Sequence, residues 1–497
     1  MTRRDALAAP FLQLGRKAKA PVTGSFVLDA FPTGHKLRDH ASFPAAAEQK
    51  KIPLVIIGAG MAGLSAAWWL KKRGFSDFVI LEMEQQAGGN SRYGENEVSA
   101  YPWGAHYVPI PNRNSPLVRE LFEEMGLIQN GEWNERHLCH SPQERLFIHG
   151  RWQFGLEPEL GMNAKARREF QRFEEIIQKL HATGHWTIPH ALGKIDPVLE
   201  AQSFPSWLKA NGFESPELFW YLDYSTRDDY GSSLADTSAW AGLHYFAARD
   251  HDDKGPFTWP EGNGWVMKYL RSKVQVRPQE PVYKVRSLDR AWQVMTPKAS
   301  YLAQAVIWAA PSFLASHLVE GAPKADGFTY SPWVTANLTL DRLPKGGDTA
   351  WDNVIYGSSS LGYVVATHQD LAVHRERTVW TWYNALAEKS PREARKLMLE
   401  STWEYWRDAA LHDLSRPHPE IADCVARIDV FRNGHAMVRP TPGFLQSEAR
   451  KGFLRNQNGM FYAHSDLSGI SIFEEAQYRG VEAAKNALRR IGGGARA

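Results

Sequence analysis

The sequence predicts an α/β protein whose main sheet contains strands that are buried on both faces. Residues 54–57 and 78–81 are short apolar runs of the length that such strands need. Between them, residues 60–73 follow helical spacing, which gives a strand–helix–strand unit of ordinary size. Strand-like segments return at 274–311 and near 460. We therefore expect a Rossmann-type domain assembled from discontinuous segments of chain, with a second domain inserted between them.

The stretches between these strands predict the inserted domain. Residues 164–181 alternate charged and apolar positions as an amphipathic helix does, and 207–249 is aromatic with helical spacing. Residues 334–340 alternate as a strand would, and 393–412 is again helical. We expect a mixed α+β domain from these insertions. The predicted division is an arm at 1–50, a nucleotide-binding domain at 51–115, 256–325 and 430–497, and a substrate domain at 116–255 and 326–429.

Composition excludes several classes of protein. The chain has 497 residues, a net charge of +3 and no clusters of basic residues, so nucleic acid is not an expected partner. No apolar run reaches the roughly 18 residues that a membrane-spanning helix needs. Cys139 and Cys424 are too few and too far apart for a disulfide framework or a metal site, and we expect no bound metal.

The first residues leave the location of the protein open. Arg3 and Arg4 precede a weakly apolar stretch at 6–14, as in a twin-arginine export signal. That stretch is short, however, and Pro21 disfavours cleavage after Ala20. We favour a cytoplasmic location over export to the periplasm.

A glycine-rich turn follows the first predicted strand. A G-x-G-x-x-G pattern in this context, between a buried strand and a helix, is typical of dinucleotide binding. The first glycine permits a tight turn, the second lets the backbone approach a pyrophosphate, and the third allows close contact of helix and strand. Glu82 ends the second strand, where a carboxylate binds ribose hydroxyls and repels a 2′-phosphate, which disfavours NADP. The residues of the turn are Gly58, Ala59, Gly60, Met61, Ala62 and Gly63.

A second glycine turn distinguishes FAD from a nicotinamide cofactor. Gly88 and Gly89 can bring backbone amides near an anion, and Arg92 can neutralise a diphosphate. Asn90 and Ser91 complete this element. A nicotinamide dehydrogenase does not need it, so the sequence favours FAD.

Residues 55–70 and 81–92, read as VIIGAGMAGLSAAWWL and LEMEQQAGGNSR, resemble the N-terminal signature of a large flavoprotein superfamily. Its members are the flavin-containing amine oxidases, protoporphyrinogen oxidases and phytoene desaturases. The resemblance covers most of residues 50–497, closely at both ends and loosely between. It implies that the segment with Gly104, Ala105 and His106 lines the isoalloxazine and that Val282 contacts the adenine. It also implies that Asp466 binds the ribityl or phosphate region, and that the helix start at Ile472 and Phe473 faces the N1/O2 edge of the flavin.

Three departures from the superfamily pattern limit what the resemblance implies. The cysteine that attaches FAD covalently in monoamine oxidases has no counterpart before the last motif, so FAD should be non-covalent. In amine oxidases two aromatic residues flank the substrate amine. Phe473 corresponds to one of them, and the other is not identifiable in this sequence. The lysine that holds a water near flavin N5 has no counterpart. These departures weaken an amine oxidase activity and leave FAD binding untouched.

Candidate catalytic residues come from segments that should reach the flavin. Each has a plain structural alternative, because most histidines are surface or hydrogen-bonded residues and a phenylalanine is often core. The segment 223–231 is acidic and aromatic, and either recognises a cation or forms a solvated turn. The catalytic candidates are His106, His435, Tyr363 and Phe473, with Tyr107 and His368 in the same segments.

The sequence thus predicts an FAD-dependent oxidoreductase that moves a hydride equivalent from an organic substrate, with an amine favoured, to flavin N5. The alternative is a desaturase or isomerase of an isoprenoid or other apolar substrate, and a second alternative is a nucleotide-binding protein without turnover. An apolar tunnel would favour the first alternative, whereas an aromatic pocket with a carboxylate would favour an amine. The expected partners are a small organic substrate and either oxygen or an electron carrier. The sequence leaves open whether the chain forms a homodimer.

Overall fold

The computed structural model describes residues 21–28, 30–250, 254–345, 350–370, 376–455 and 457–493. The predicted twin-arginine segment lies outside these residues. In the described part of the chain, no helix is both long enough and apolar enough to cross a membrane.

Within the described residues, the strands belong to two large sheets and three short antiparallel pairs. In chain order they are β1 (Thr23–Val27), β2 (Gln49–Ile57), β3 (Phe78–Leu81), β4 (Tyr93–Glu95), β5 (Ala100–Pro102), β6 (Tyr107–Val108), β7 (Ile128–Gln129), β8 (Glu132–Trp133), β9 (Glu144–Ile148), β10 (Arg151–Phe154), β11 (Phe257–Thr258), β12 (Val276–Arg277), β13 (Lys284–Ser287), β14 (Trp292–Met295), β15 (Ser300–Trp308), β16 (Tyr330–Leu340), β17 (Asp352–Ile355), β18 (Tyr363–Val365), β19 (Thr378–Asn384), β20 (Val425–Val438) and β21 (Met460–Tyr462).

The helices lie on the faces of the sheets and between them. In chain order they are α1 (Phe31–Arg38), α2 (Met61–Lys72), α3 (Pro116–Glu124), α4 (Ala164–Ala182), α5 (Pro197–Ala201), α6 (Phe204–Ala210), α7 (Pro216–Tyr230), α8 (Ala239–Ala247), α9 (Gly264–Lys273), α10 (Ser312–Leu318), α11 (Pro391–Glu400), α12 (Trp403–Leu414), α13 (Ile421–Cys424), α14 (Glu448–Leu454) and α15 (Phe473–Gly493).

The first sheet is the predicted Rossmann-type sheet. Its parallel part runs β12, β3, β2, β15, with β21 also parallel to β15, while β14 and β13 extend it antiparallel. Ile57 pairs with both Leu81 and Trp308, so the carboxyl ends of β2, β3 and β15 meet at one edge. Ligands of open α/β sheets bind at such an edge. The predicted fold class is therefore confirmed.

The second sheet has eight strands in the order β1, β20, β16, β19, β18, β17, β9, β10. Most neighbours are antiparallel, whereas β1 with β20 and β17 with β9 are parallel. Helices α4 to α8 pack into an aromatic core beside it, around Phe204, Trp240 and Phe213. The expected domain boundary at residue 430 falls inside β20, which stays with this sheet as far as Val438.

Two elements differ from the sequence-based expectations for physical reasons. The helix predicted over 393–412 is two helices, because Thr402 accepts a hydrogen bond from the Tyr405 amide and so caps a new helix start. Residues 23–27, expected within an irregular arm, form edge strand β1. This strand forms because it pairs with β20, and the local sequence shows no strand periodicity that would predict it.

Candidate cofactor and substrate site

The first glycine turn connects β2 to α2, as the dinucleotide-binding pattern requires. Gly58 has φ of 97°, and a Cβ there would lie 3.0 Å from the Ala309 carbonyl. A Cβ at Gly63 would lie 2.0 Å from the Gly58 oxygen. Both positions therefore need glycine, the first for its backbone conformation and the second for close packing of α2 on the turn. The free amides at the start of α2 face the carboxyl edge of the sheet.

Glu82 follows β3 at this edge and is held by backbone amides. Its Oε2 accepts a hydrogen bond from Ala59 N at 2.8 Å, and its Oε1 accepts one from Glu84 N at 2.9 Å. Burial raises the pKa of Glu82, and these two amide contacts oppose that effect. The carboxylate is thus fixed beside the glycine turn with lone pairs left for further donors.

The second glycine turn packs directly against the first. Gly88 and Gly89 have φ of 139° and 57°, and Gly88 N donates to Ala59 O at 2.9 Å. Arg92 then extends along the turn: its Nε donates to Gly89 O at 3.0 Å, and its guanidinium lies 5.0 Å from the Phe431 ring centroid. Arg92 Nη1 is 3.3 Å from Glu84 Oε2.

One cavity of about 960 Å³ opens at this edge of the sheet. It brings together most of the predicted cofactor residues. Five predicted residues belong to the same turns and motifs but do not line it, namely Ala59, Gly63, Gly104, His106 and Asp466. Those that line it are Gly58, Gly60, Met61, Ala62, Glu82, Gly88, Gly89, Asn90, Ser91, Arg92, Ala105, Val282, Ile472 and Phe473.

Polar atoms in the cavity wall fit an FAD that would complete their hydrogen bonding. Asn263 is 2% exposed and lines the cavity, and its Oδ1 has no hydrogen-bond partner among the described residues. Arg92 is 6% exposed, and within the described chain its Nη1 likewise has no hydrogen bond beyond the 3.3 Å ion pair. Buried polar atoms left open are costly, so such atoms in a cavity wall indicate a ligand. A guanidinium suits a diphosphate, and an amide oxygen suits an N–H donor.

The segment around Ala105 connects the cavity to a second, inner group of residues. Ala105 N donates to Asn90 O at 2.8 Å, and Tyr383 Oη donates to Gly104 O at 3.0 Å. His106 turns away from the main cavity and stacks on Tyr383 with ring centroids 4.6 Å apart. Burial lowers the pKa of His106 to about 4, so its imidazole is neutral at neutral pH.

The C-terminal motif approaches the cavity through the residues that flank Asp466. His464, Ser465 and the start of α15 at Phe473 line the cavity. Asp466 itself is fully buried behind them. Its carboxylate accepts hydrogen bonds from Ser312 N at 2.8 Å, Ser312 Oγ at 2.9 Å and Tyr330 Oη at 2.6 Å. It therefore joins α10 and β16 to the last motif.

The four catalytic candidates lie in different places. Phe473 lines the cavity, and so does His435, which stacks on Phe313 with centroids 4.4 Å apart. Burial lowers the pKa of His435 to about 3. Tyr363 lies in the core of the large sheet, where its hydroxyl is 2.7 Å from His418 Nε2. Tyr363 thus does not line the cavity, and His106 borders the inner group instead.

The inner acidic cluster consists of Tyr107, Asp228, Asp229 and Asp352. Tyr107 Oη lies 3.3 Å from Asp228 Oδ2 and 3.0 Å from Asp229 Oδ1. Burial raises the pKa of all three carboxyls, that of Asp228 to about 7. Each of the four side chains nonetheless keeps partial exposure.

Aromatic residues and one ion pair surround this cluster. Trp351 lies 5.6 Å from His106 and 5.9 Å from Tyr107, centroid to centroid. Arg249 forms an ion pair with Glu474, the residue that follows Phe473, and its Nη1 lies 3.0 Å from Glu474 Oε1. The segment 223–231 is the signal in the sequence that pointed here. Asp352, Trp351 and Tyr383 carry no local motif, and only the folding of the large sheet brings them to the site.

Comparison with known proteins agrees with this architecture. A family model described as an NAD(P)-binding Rossmann-like domain matches residues 56–125. A flavin-containing amine oxidase from Oncorhynchus mykiss is 27% identical over 146 residues, which are 29% of this chain and 27% of that protein. A D-amino acid dehydrogenase from Neisseria meningitidis is 29% identical over 130 residues, 24% of this chain and 29% of its own. The chain thus matches less than a third of the length of either relative.

Solved structures match over much more of the chain. A putrescine oxidase variant superposes with a TM-score of 0.68 at 14% identity, over 89% of this chain and 100% of its own. A fatty acid isomerase from P. acnes superposes with a TM-score of 0.65 at 15% identity, over 88% of this chain and 98% of its own. The chain therefore shares its fold with these solved oxidase and isomerase structures, and residues 56–125 match the Rossmann-like family model.

Proposed function

We propose that the protein is an FAD-dependent oxidoreductase that oxidises an organic amine. The observation that carries this proposal is the inner acidic cluster, which lies next to the segment expected to line the flavin. Its three carboxyl groups stand beside aromatic rings, with Asp228 about half ionised at neutral pH, and such a setting attracts a cation.

Further carboxylates extend from the cluster toward the surface. Asp352 interacts electrostatically with Asp228 and with Glu144, and Glu144 interacts in turn with Glu157. Glu144 and Glu157 are exposed. These exposed acidic groups are thus coupled electrostatically to the inner cluster, while Arg227 acts in the opposite sense on Asp228 and Arg249 on Asp229. Acidic groups near a site raise the local concentration of cationic ligands.

The inner acidic cluster argues against an apolar substrate. A tunnel for an isoprenoid or a fatty acyl chain should be lined by aliphatic and aromatic groups, because an unpaired carboxylate loses hydration without compensation when apolar surface covers it. The fold shared with the fatty acid isomerase does not alter this, since one fold supports different chemistries through different sites.

The residues of the chain would bind and orient the reactants. Bound FAD supplies the acceptor for the hydride equivalent that leaves the carbon next to the amine nitrogen. The carboxylates of Asp228 and Asp229 draw in the ammonium and take up its proton, because only the neutral amine has a lone pair to assist C–H cleavage. Phe473 and the stacked pair of His106 and Tyr383 wall the reacting space and exclude water. The imine then hydrolyses to a carbonyl compound and the released amine or ammonia.

We further propose that FAD is held without a covalent bond. Both cysteines are buried, and neither lines the cavity. Burial also raises the pKa of Cys139 to about 12, so its thiolate is scarce at neutral pH. The electrons would pass on to oxygen or to a carrier, and homodimer formation remains a prediction.

The proposal is tested by mixing the purified, FAD-loaded protein anaerobically with separate amines, diamines, polyenes and unsaturated fatty acids. Bleaching of the visible flavin band by amines alone supports it. Asp228→Asn should slow that bleaching at least about tenfold, whereas the exposed control Asp77→Asn should leave it unchanged. Bleaching by polyenes alone would favour a desaturase. A flavin that stays oxidised with every donor would favour binding without turnover.

A further inference from the structure

Residues 22–28 and 30–40 contact both of the large sheet domains of the molecule. Strand β1 pairs in parallel with β20 from Thr23 opposite Arg427 to Val27 opposite Phe431. A Cβ at Gly24 would lie 1.7 Å from the Ile428 carbonyl oxygen. The strand is therefore seated tightly on the edge of the eight-stranded sheet.

Helix α1, a few residues later, is anchored on the Rossmann-type domain. Leu37 is 4% exposed and belongs to the core that contains Val55, Leu81 and Val282. Downstream of the helix, the Phe43 ring stacks on Tyr283 with centroids 5.2 Å apart and an angle of 4°. The segment thus crosses from one domain to the other.

This crossing segment forms part of the wall of the cofactor cavity. Phe31, His35 and Arg38 line the same space as Gly60 and Arg92. The Arg432 guanidinium also lines the cavity and lies 3.6 Å from the Phe26 ring centroid and 5.5 Å from that of Phe31. The segment therefore closes one side of the cavity and is in contact with both domains.

The cavity wall here carries positive charge. Arg395 and Lys396 of α11 line it together with His35 and Arg38 of α1, while Arg38 also pairs with the exposed Asp39. His35, Arg38 and Arg395 are all close enough to His435 to act on it electrostatically. The acidic lining residues are Glu82, Glu84, Glu280 and Glu400, and Glu84 is already paired with Arg92. A polyanion such as the diphosphate of FAD suits this end of the cavity.

We propose that residues 22–28 and 30–40 form a strap that retains FAD in its cavity, with Phe31 covering the cofactor and His35 and Arg38 adding to its electrostatic binding. This inference rests on the proposed FAD site and extends it to a segment outside the nucleotide-binding motifs. Release of FAD would require α1 to separate from the Rossmann-type domain, so the strap should act mainly on the rate of release.

The test measures FAD release from the loaded full-length protein, as the rise in flavin fluorescence after dilution. The double variant His35→Ala/Arg38→Ala should release FAD about tenfold faster, which corresponds to about 1.4 kcal/mol. Leu37→Ala, which loosens the anchor of α1, should also speed release. The matched control is Lys36→Ala, which removes an exposed positive charge from the same helix and does not line the cavity.

A second readout is limited proteolysis with trypsin, which cleaves after Lys36 and Arg38. The strap predicts slower cleavage at these two sites when FAD is bound. Equal release rates for all variants and the wild type, with cleavage that FAD does not affect, would overturn the strap alone. A wild-type chain that takes up no FAD would overturn both the cofactor site and the strap.

Discussion

Gly60 and Gly89 face each other across the two glycine turns, and a Cβ placed on Gly89 would lie 3.2 Å from Gly60 Cα. The two turns come from separate segments of chain, one after β2 and one after β3. Their close approach makes a single cradle of backbone amides, with Glu82 and Arg92 beside it. This cradle is the feature on which FAD binding depends.

Gly89→Ala should weaken FAD binding by at least about tenfold, because the new methyl group presses on the first turn where the diphosphate would lie. The control is Gly74→Ala. Gly74 also has a positive φ, of 79°, but a Cβ there meets nothing within 4 Å. Both variants therefore carry similar backbone strain, of about 1 kcal/mol. Titration of the apo-protein with FAD measures the affinity of each variant. Equal affinities would contradict the role of the two glycine turns in FAD binding.

Glu82→Ala should raise the dissociation constant of FAD roughly 10- to 100-fold, because the variant loses hydrogen bonds from FAD to a charged acceptor. Glu82→Gln should fall between this variant and the wild type, since one side-chain oxygen remains. Glu123→Gln, on an exposed helix face, serves as the control. Isothermal calorimetry gives the three values, and a Glu82→Ala protein with wild-type affinity would remove this residue from the site.

The sequence predicted the parts of the site that depend on local chain pattern. Gly58, Gly60, Glu82 and Arg92 lie where the strand–helix–strand pattern put them, because a turn of this kind fixes both its glycines and its flanking strands. Phe473 lies at the start of α15, as the local sequence pattern also predicted. Such short-range patterns are readable from a single sequence.

The inner acidic cluster could be predicted only in part. Asp228 and Asp229 belong to the acidic segment 223–231 that the sequence analysis singled out. The local sequence did not show, however, that this pair faces Tyr107 and Asp352. Tyr363 illustrates the opposite case. It lies in a segment that the superfamily resemblance placed near the flavin, yet its ring stacks on Trp380 inside the large sheet, 4.1 Å away. Which face of a strand is buried depends on register across the sheet, which local composition does not determine.

Asp466→Asn should lower the free energy of unfolding by about 3 kcal/mol, because the buried carboxylate accepts three hydrogen bonds. Burial by itself would raise the pKa of Asp466, but His464 and the hydrogen bonds outweigh it and lower the pKa. The stability it contributes is therefore present above the ordinary aspartate pKa and is lost as pH falls through the lower folded-state value. Urea unfolding at several pH values measures both effects. The same stability for variant and wild type would refute this structural role.

Amine binding should depend on the ionisation of Asp228. Its pKa is raised to about 7, so the carboxyl is mostly protonated below neutral pH and becomes charged above it. Affinity for a cationic amine should therefore rise as pH increases through about 7, until the amine itself loses its proton. In Asp228→Asn this rise should disappear. The measurement is the amine concentration that half-saturates flavin reduction at each pH, and an unchanged profile in the variant would contradict the assignment.

The central claim is that the cavity holds one non-covalent FAD. The most direct measurement is the visible spectrum and flavin content of the purified protein, before and after denaturation. We predict a yellow protein with about one FAD per chain, all of it released into the supernatant when the chain unfolds. A colourless protein that binds no added FAD would contradict the claim, and flavin that stays attached to the unfolded chain would contradict its non-covalent form.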